Sequence, residues 1–261
     1  MKALPHVSLG GQPGQGRSGA SVCRPPLLHA CAMAIVLALG APAAGEPAGS
    51  VTGTVTLAGA PPVRPQLPVQ KNREVCGEMV ADDRLVIGPS GGVRYAVVTV
   101  EGPQGGTKPK RDATHALDNH ACHFVPHVQT AEVGQWLELH NGDPVLHNAD
   151  ARIGQETIFN VALPHDHRTR RPLARPGLVA ITCDAHPWMS AFVAVTDHPY
   201  HTVTDASGTY EIRDLPAGTY RIHVWHEELG TQERPLTIEP GQATKLDFSY
   251  AGAGNAEQGV R

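Results

Sequence analysis

The chain has 261 residues, five cysteines, 15 histidines and a formal charge of −4. A mildly acidic balance excludes nucleic acid and an anionic membrane surface as partners, and the length suffices for two small domains with cores of their own. Aromatic residues make up 5% of the chain against 28 glycines and 23 prolines, so short apolar runs broken by turn signals predict an all-β protein without a long amphipathic helix.

Residues 1–44 read as a signal peptide. Lys2, Arg17 and Arg24 precede an apolar core at residues 30–39, and Ala41-Pro42-Ala43-Ala44 supplies small residues for cleavage. The core is too short to span a bilayer. In Leu28-His29-Ala30-Cys31 the apolar run follows the cysteine, which argues against a lipid anchor. Removing the leader leaves about 217 residues with a charge of about −7, no membrane-spanning segment, and a periplasmic or secreted location.

Residues 45–92 begin with an alternating strand at 50–58 and a proline-rich extended stretch at 61–68. One helical turn carrying Cys76 is expected between Lys71 and Asp83. The whole segment is expected to pack on the domain that follows. In residues 93–196, strands at 85–87 and 93–100 lead into that domain, and a polar Gly, Pro and Lys loop spans 101–115. His115, His120, His123 and His127 surround Cys122, with Pro126 marking an edge. These are surface or packed histidines by default. A strand at 133–139 runs into the turn Asn141-Gly142-Asp143-Pro144, after which comes His147-Asn148. His165-Asp166-His167, beside Arg168, Arg170 and Arg171, reads as a solvated loop.

The strand at 178–182 places Val179, Ile181 and Cys183 on one face by period-two alternation, so Cys183 ends a strand pointing inward. The run Cys183-Asp184-Ala185-His186-Pro187-Trp188-Met189 follows, then an uncharged strand at 191–195. Three potential ligands thus occupy one tight connection between neighbouring strands. A thiolate, two imidazoles and a thioether suit one copper ion cycling between its two oxidation states better than any hard cation, and zinc sites rarely use methionine. Flanking strands that hold such a loop rigid keep rearrangement small when the oxidation state changes. Asn148 is placed to hydrogen-bond the backbone near Cys183 and tie His147 to the loop.

Residues 197–250 change to a meander, with Tyr210 and Ile212 before the turn Asp214-Leu215-Pro216-Ala217-Gly218 and Tyr220, Ile222 and Val224 after it. Residues 251–261 form a tail. His198, His201, His223 and His226 form no grouping that points to a metal. No Ser-His-Asp set, carboxylate pair or phosphate-cradling loop occurs in a suitable context, so an enzyme is not expected.

The span of about 93–195 resembles the cupredoxins, small blue-copper β-sandwich proteins. Its ligand loop is most similar to that of amicyanins, in having Cys, two residues, His, then Pro, an aromatic and Met. The phrases Thr204-Asp205-Ala206-Ser207-Gly208 and Leu215-Pro216-Ala217-Gly218-Thr219-Tyr220 resemble the carboxypeptidase regulatory-like, transthyretin-like modules. Together they imply a cupredoxin-like Greek-key sandwich followed by a small transthyretin-like sandwich that carries no catalytic residues. The cupredoxin resemblance implies His147, Cys183, His186 and Met189 as copper ligands and Asn148 as the brace of the loop. It also implies one-electron transfer through a His186 ring edge set in an apolar patch, with Pro187 and Trp188 docking a redox protein. Copper delivery, or an interaction module with structural copper, are the alternatives.

Export leaves Cys76, Cys122 and Cys183. With Cys183 protected as a metal thiolate, Cys76 pairs with Cys122, closing a loop of about 47 residues worth roughly 4 kcal/mol on the chain-entropy model. Two free thiols, or one thiol in a second metal site, remain the alternatives.

Overall fold

A computed structural model of the chain describes residues 46–62, 64, 66–102 and 112–252. The leader expected at 1–44 and most of the tail expected at 251–261 lie outside the described residues, as does much of the polar loop at 101–115. The structure is all-β, as the turn-rich composition predicts, and the single helical turn expected near Cys76 is Arg73–Cys76.

The alternating opening segment forms the strand Gly49–Leu57, whose odd-numbered residues are buried. It pairs antiparallel with Thr209–Leu215 and parallel with the short strands Ala243–Lys245 and Phe248–Tyr250. The crossing between those two short strands presses on Gly53, where a Cβ would lie 1.9 Å from the Leu246 carbonyl oxygen. Only glycine fits there. Facing this sheet is a second, in the order His201–Val203, Val97–Glu101, Gly218–His226, Gly230–Ile238. Val51, Val55, Val98, Val100, Ile212, Ile222, Val224, Leu236 and Phe248 fill the space between them.

This sandwich corrects the expected domain boundaries. Residues 49–57 and 97–101 were expected with the ligand-bearing domain, yet both are strands of the sandwich that residues 201–250 complete. The reason is backbone pairing: Thr209–Leu215, Ala243–Lys245 and Phe248–Tyr250 all take Gly49–Leu57 as their common partner. The sandwich that carries Cys183 is therefore an insertion between Glu101 and His201.

The inserted sandwich has a five-stranded sheet in the order Glu156–Leu163, His147–Ile153, Gly177–Thr182, Ser190–Thr196, Val128–Glu132. Against it lies a four-stranded sheet in the order Arg168–Pro172, Trp136–Asn141, Thr114–His120, His123–Val125. Leu117, Phe124, Leu137, Leu139, Leu163, Val179, Ile181 and Val193 form its core, with Cys183 and Met189 among them. Alternation also joins the two sandwiches. Ser190–Thr196 sends Ala191, Val193 and Val195 into this core, while Phe192 and Ala194 face a small cluster with Val97, Val128 and Trp225. Burial on both faces explains why these strands carry nearly continuous apolar runs.

One part of the 45–92 segment does pack where expected. Leu67–Pro68 pairs with Met79–Val80 to make a short arm around Arg73–Cys76, and Val69, Cys76 and Val80 bury in the core of the inserted sandwich. Cys76 is disulfide-bonded to Cys122, with 5.4 Å between their Cα atoms.

Candidate metal centre

Period-two alternation delivers Cys183 to the interior: Val179, Ile181 and Cys183 are 1%, 0% and 2% exposed. The loop after it is held by its own backbone. His186 N–H donates to the Cys183 carbonyl at 3.3 Å, Met189 N–H to the His186 carbonyl at 2.9 Å, and Cys183 N–H to the Met189 carbonyl at 3.3 Å. His147 opens the strand His147–Ile153, which pairs with Gly177–Thr182 and so brings that ring beside the loop.

His147 Nδ1 lies 3.9 Å and His186 Nδ1 3.6 Å from Cys183 Sγ, and the donor atoms of these three buried residues all fall within 4.8 Å of one another. The two rings are 4.5 Å apart at their centroids. What fixes the donor nitrogens is the far side of each ring. His147 Nε2–H donates to Asp143 Oδ2 at 3.0 Å, and His186 Nε2–H donates to Asn72 Oδ1 at 3.1 Å. Each acceptor selects the tautomer whose Nδ1 keeps its lone pair and faces the sulfur. Both rings are also biased toward the neutral form. Burial lowers the His147 pKa, and burial followed by the neighbouring His147 and Lys71 pushes His186 down to about 4. Neutral imidazoles with free Nδ1 beside a buried thiol fit a soft or borderline metal ion such as copper.

Met189, 1% exposed, ends the loop within the same core. Asn148 makes the contact expected of it, as its Oδ1 accepts from Asp184 N–H at 2.7 Å. Its own N–H donates to Cys183 Sγ at 3.5 Å, a hydrogen bond of the kind that tunes a metal thiolate. The Asn148 amide also donates to Asp184 Oδ2 and Asn160 Oδ1, at 2.7 and 3.0 Å.

One expectation is corrected here. His186 does not reach the surface: it is 0% exposed, with Asn72 of the arm on its outer nitrogen and Trp188 5.1 Å away. Pro187 is exposed, whereas Trp188 is half-buried and donates its indole N–H to the Cys122 carbonyl at 3.1 Å. An apolar patch around an exposed His186 edge was expected because the sequence does not reveal that an arm more than a hundred residues upstream folds over it.

Among the described residues a second group, Cys122, Asp143 and His147, also brings three donor types within 4.8 Å, but Cys122 is committed to the disulfide. The remaining histidines go elsewhere. His123 pairs with Asp83 at 2.9 Å, and buried His127 bridges the Ser190 carbonyl and Glu227 at the junction of the sandwiches. His165 and His167 are exposed, as a solvated loop requires. Sequence reasoning missed Asp143 and Asn72 as partners of the histidines. The signal for Asp143 was its position four residues before His147 in a turn, whereas nothing local marks Asn72.

Residues 178–251 match the model of the carboxypeptidase regulatory-like domain family. That match begins in the strand Gly177–Thr182 of the inserted sandwich and covers the contiguous part of the other. Among solved structures, the chain is similar to a copper-containing nitrite reductase from Thermus scotoductus SA-01, with 24% identity and a TM-score of 0.30, over 36% of this chain and only 25% of the reductase. It is also similar to a purple cupredoxin from Nitrosopumilus maritimus, with 26% identity and a TM-score of 0.28, over 32% of this chain and 99% of that one. Amicyanin from Paracoccus versutus aligns with 17% identity and a TM-score of 0.29, over 38% of this chain and 96% of that one. No curated protein sequence matches the chain.

Proposed function

We propose that this chain is an exported carrier of single electrons built on one copper ion, held by the Cys183 thiolate, Nδ1 of His147, Nδ1 of His186 and the Met189 thioether. The observation that carries this reading is the convergence of two lone-pair Nδ1 atoms on one buried thiol, each ring locked by an acceptor behind it. Copper supplies a one-electron couple between its cuprous and cupric states. The chain supplies rigidity. Loop hydrogen bonds and flanking strands fix the donors, Asn148 clamps Asp184 to the strand of His147, and burial keeps water from the donor atoms. A redox protein is assigned to dock at exposed Pro187 and half-buried Trp188, which border the ligand loop.

The test is to load the full chain with stoichiometric cupric ion and record visible and electron paramagnetic resonance spectra. An intense thiolate-to-copper band with narrow parallel hyperfine splitting is expected. A pale, ordinary cupric spectrum would overturn the assignment. The enclosure of His186 favours a second reading, in which the centre holds copper for delivery. Sluggish electron self-exchange with easy transfer of cuprous ion to a soft chelator would select it.

A further inference from the structure

The outer nitrogens of both histidines lead to the same place. Asn72, which accepts from His186, begins the helical turn that ends at Cys76, and Val75 and Cys76 N–H both donate to the Asn72 carbonyl, at 2.9 and 2.8 Å. Asp143, which accepts from His147, is held from the other half of the bridge. Its Oδ1 accepts from Ala121 N–H at 2.8 Å and its Oδ2 from Cys122 N–H at 2.9 Å. Trp188, packed on His186, donates to the Cys122 carbonyl. The Cys76–Cys122 bond therefore joins the acceptor of one ring to the acceptor of the other.

The backbone at Cys122 does not hold this shape by local preference. Ala121 and Cys122 form the two-residue connection between Thr114–His120 and His123–Val125, with φ of 50° and 59°. Such a connection favours Asn-Gly, and a residue with a Cβ in the left-handed region is strained. Two consecutive left-handed residues aim successive amides at one point, which here is the Asp143 carboxylate. Carboxylate and bridge maintain the turn, and the turn keeps the carboxylate under His147.

We infer that the Cys76–Cys122 disulfide is the clasp of the metal centre, with Asn72 and Asp143 as positioning residues for His186 and His147 and the Leu67–Val80 arm as the cover that shuts the His186 side from solvent. The inference deepens the proposed copper reading, but the cover itself does not depend on a metal. Val69, Cys76 and Val80 seat the arm in the core, with Leu67 and Val75 packed against it, and its polar hold on the site among the described residues is the hydrogen bond from His186 to Asn72, beside the bridge. Release at either point exposes the loop.

The test uses the full chain, metal-free, and follows alkylation of Cys183 by iodoacetamide with site-resolved mass spectrometry. Cys183 is the free cysteine among the described residues and is buried, so its modification reports opening of the cover. Two variants are compared with the parent. The first, Cys76→Ala with Cys122→Ala, removes the bridge. The second, Asn72→Gly, deletes the carboxamide while tolerating the left-handed backbone of φ 57° at that position. At least a tenfold faster modification is expected in both, with Asn72→Gly retaining the parent's circular dichroism and melting cooperativity. The same variants, loaded with cuprous ion, are expected to lose it to a soft chelator at least tenfold faster. If the bridge-free variant does not fold, Asn72→Gly decides alone. A folded Asn72→Gly protein whose Cys183 reacts within twofold of the parent overturns the clasp. Unmasked Cys183 in a protein that binds no copper leaves the clasp standing and removes the copper reading.

Discussion

The two cores of this molecule are built from different side chains. Between the sheets completed by Gly49–Leu57, burial is aliphatic and tyrosine-rich, and the tyrosine hydroxyls find backbone acceptors: Tyr250 donates to the Val224 carbonyl at 3.1 Å and to the Gly230 carbonyl at 2.9 Å, and Tyr210 to the Leu246 carbonyl at 2.5 Å. The inserted sandwich instead buries a free thiol, a thioether, a disulfide and two imidazoles among its Leu and Val residues. Burying the imidazoles stabilises a core less than aliphatic packing does, because their ring nitrogens must each be given a partner. The two sandwiches divide the labour. One sandwich is a support whose strands enclose the insertion from both ends, and the other spends its interior on presenting donor atoms.

Substitutions in the two cores are expected to have opposite effects. Cys183→Ser removes the thiolate and is expected to abolish the intense visible band of the copper-loaded protein completely, while leaving the melting of the metal-free protein nearly unchanged, since serine is close in size. Ile222→Ala, in the supporting core where Ile222 is 0% exposed, is expected to do the reverse. It should cost about 2–5 kcal/mol in chemical denaturation and leave the band position unaltered in the folded fraction. Retention of colour in Cys183→Ser, or a shifted band in Ile222→Ala, would dissolve the division.

The ease of reading the two regions from sequence follows the same line. The loop from Cys183 to Met189 and the pair His147-Asn148 were legible because their donor types sit at short, local spacings at strand ends. Val97 to Val100 was legible as a strand but not as a member of the supporting sandwich. Its Val97 faces one cluster and its Val98 and Val100 another, and an apolar run buried on both faces does not say which sheet it joins. Asn72 was illegible for a stronger reason. Its partnership with His186 spans 114 residues and depends on the arm, the bridge and the turn at Cys122 all being in place.

Acid bears on both sandwiches, since His186 in one and His226 in the other are each pushed down to about 4, and its effect on the support is smaller than that of a core truncation. In the supporting sandwich His226 is 1% exposed, and its pKa is pushed down to about 4 by burial, with a hydrogen bond to the Arg94 backbone and Glu228 opposing the effect and His127 and Arg64 adding to it. Below pH 6.5 the unfolded chain takes up a proton there that the folded chain refuses until about pH 4. Stability from this group is therefore complete above pH 6.5 and drains away as the pH falls toward 4, by roughly 2–3 kcal/mol. Denaturant midpoints measured from pH 7 to 4 are expected to fall less steeply in His226→Gln than in the parent. Equal slopes would show that this histidine does not carry the acid sensitivity of the support.

The finest contrast lies in single hydroxyls. Tyr250 is 4% exposed and its hydroxyl is shared between two carbonyls, from Val224 in one strand and Gly230 in the next, so it stitches Gly218–His226 to Gly230–Ile238 across their hairpin end. Tyr250→Phe keeps the ring packing and removes both bonds; a loss of about 1 kcal/mol is expected in thermal or denaturant unfolding. The copper-loaded candidate site is not expected to register it, because the supporting hairpin reaches toward the Cys183–Met189 loop through the Phe192–Trp225 contact, with ring centroids 5.1 Å apart, and through His127 between Glu227 and the Ser190 carbonyl, and the Tyr250 hydroxyl bonds to neither. A changed copper spectrum in Tyr250→Phe would mean that the support tunes the site through that ring pair or through the His127 bridge.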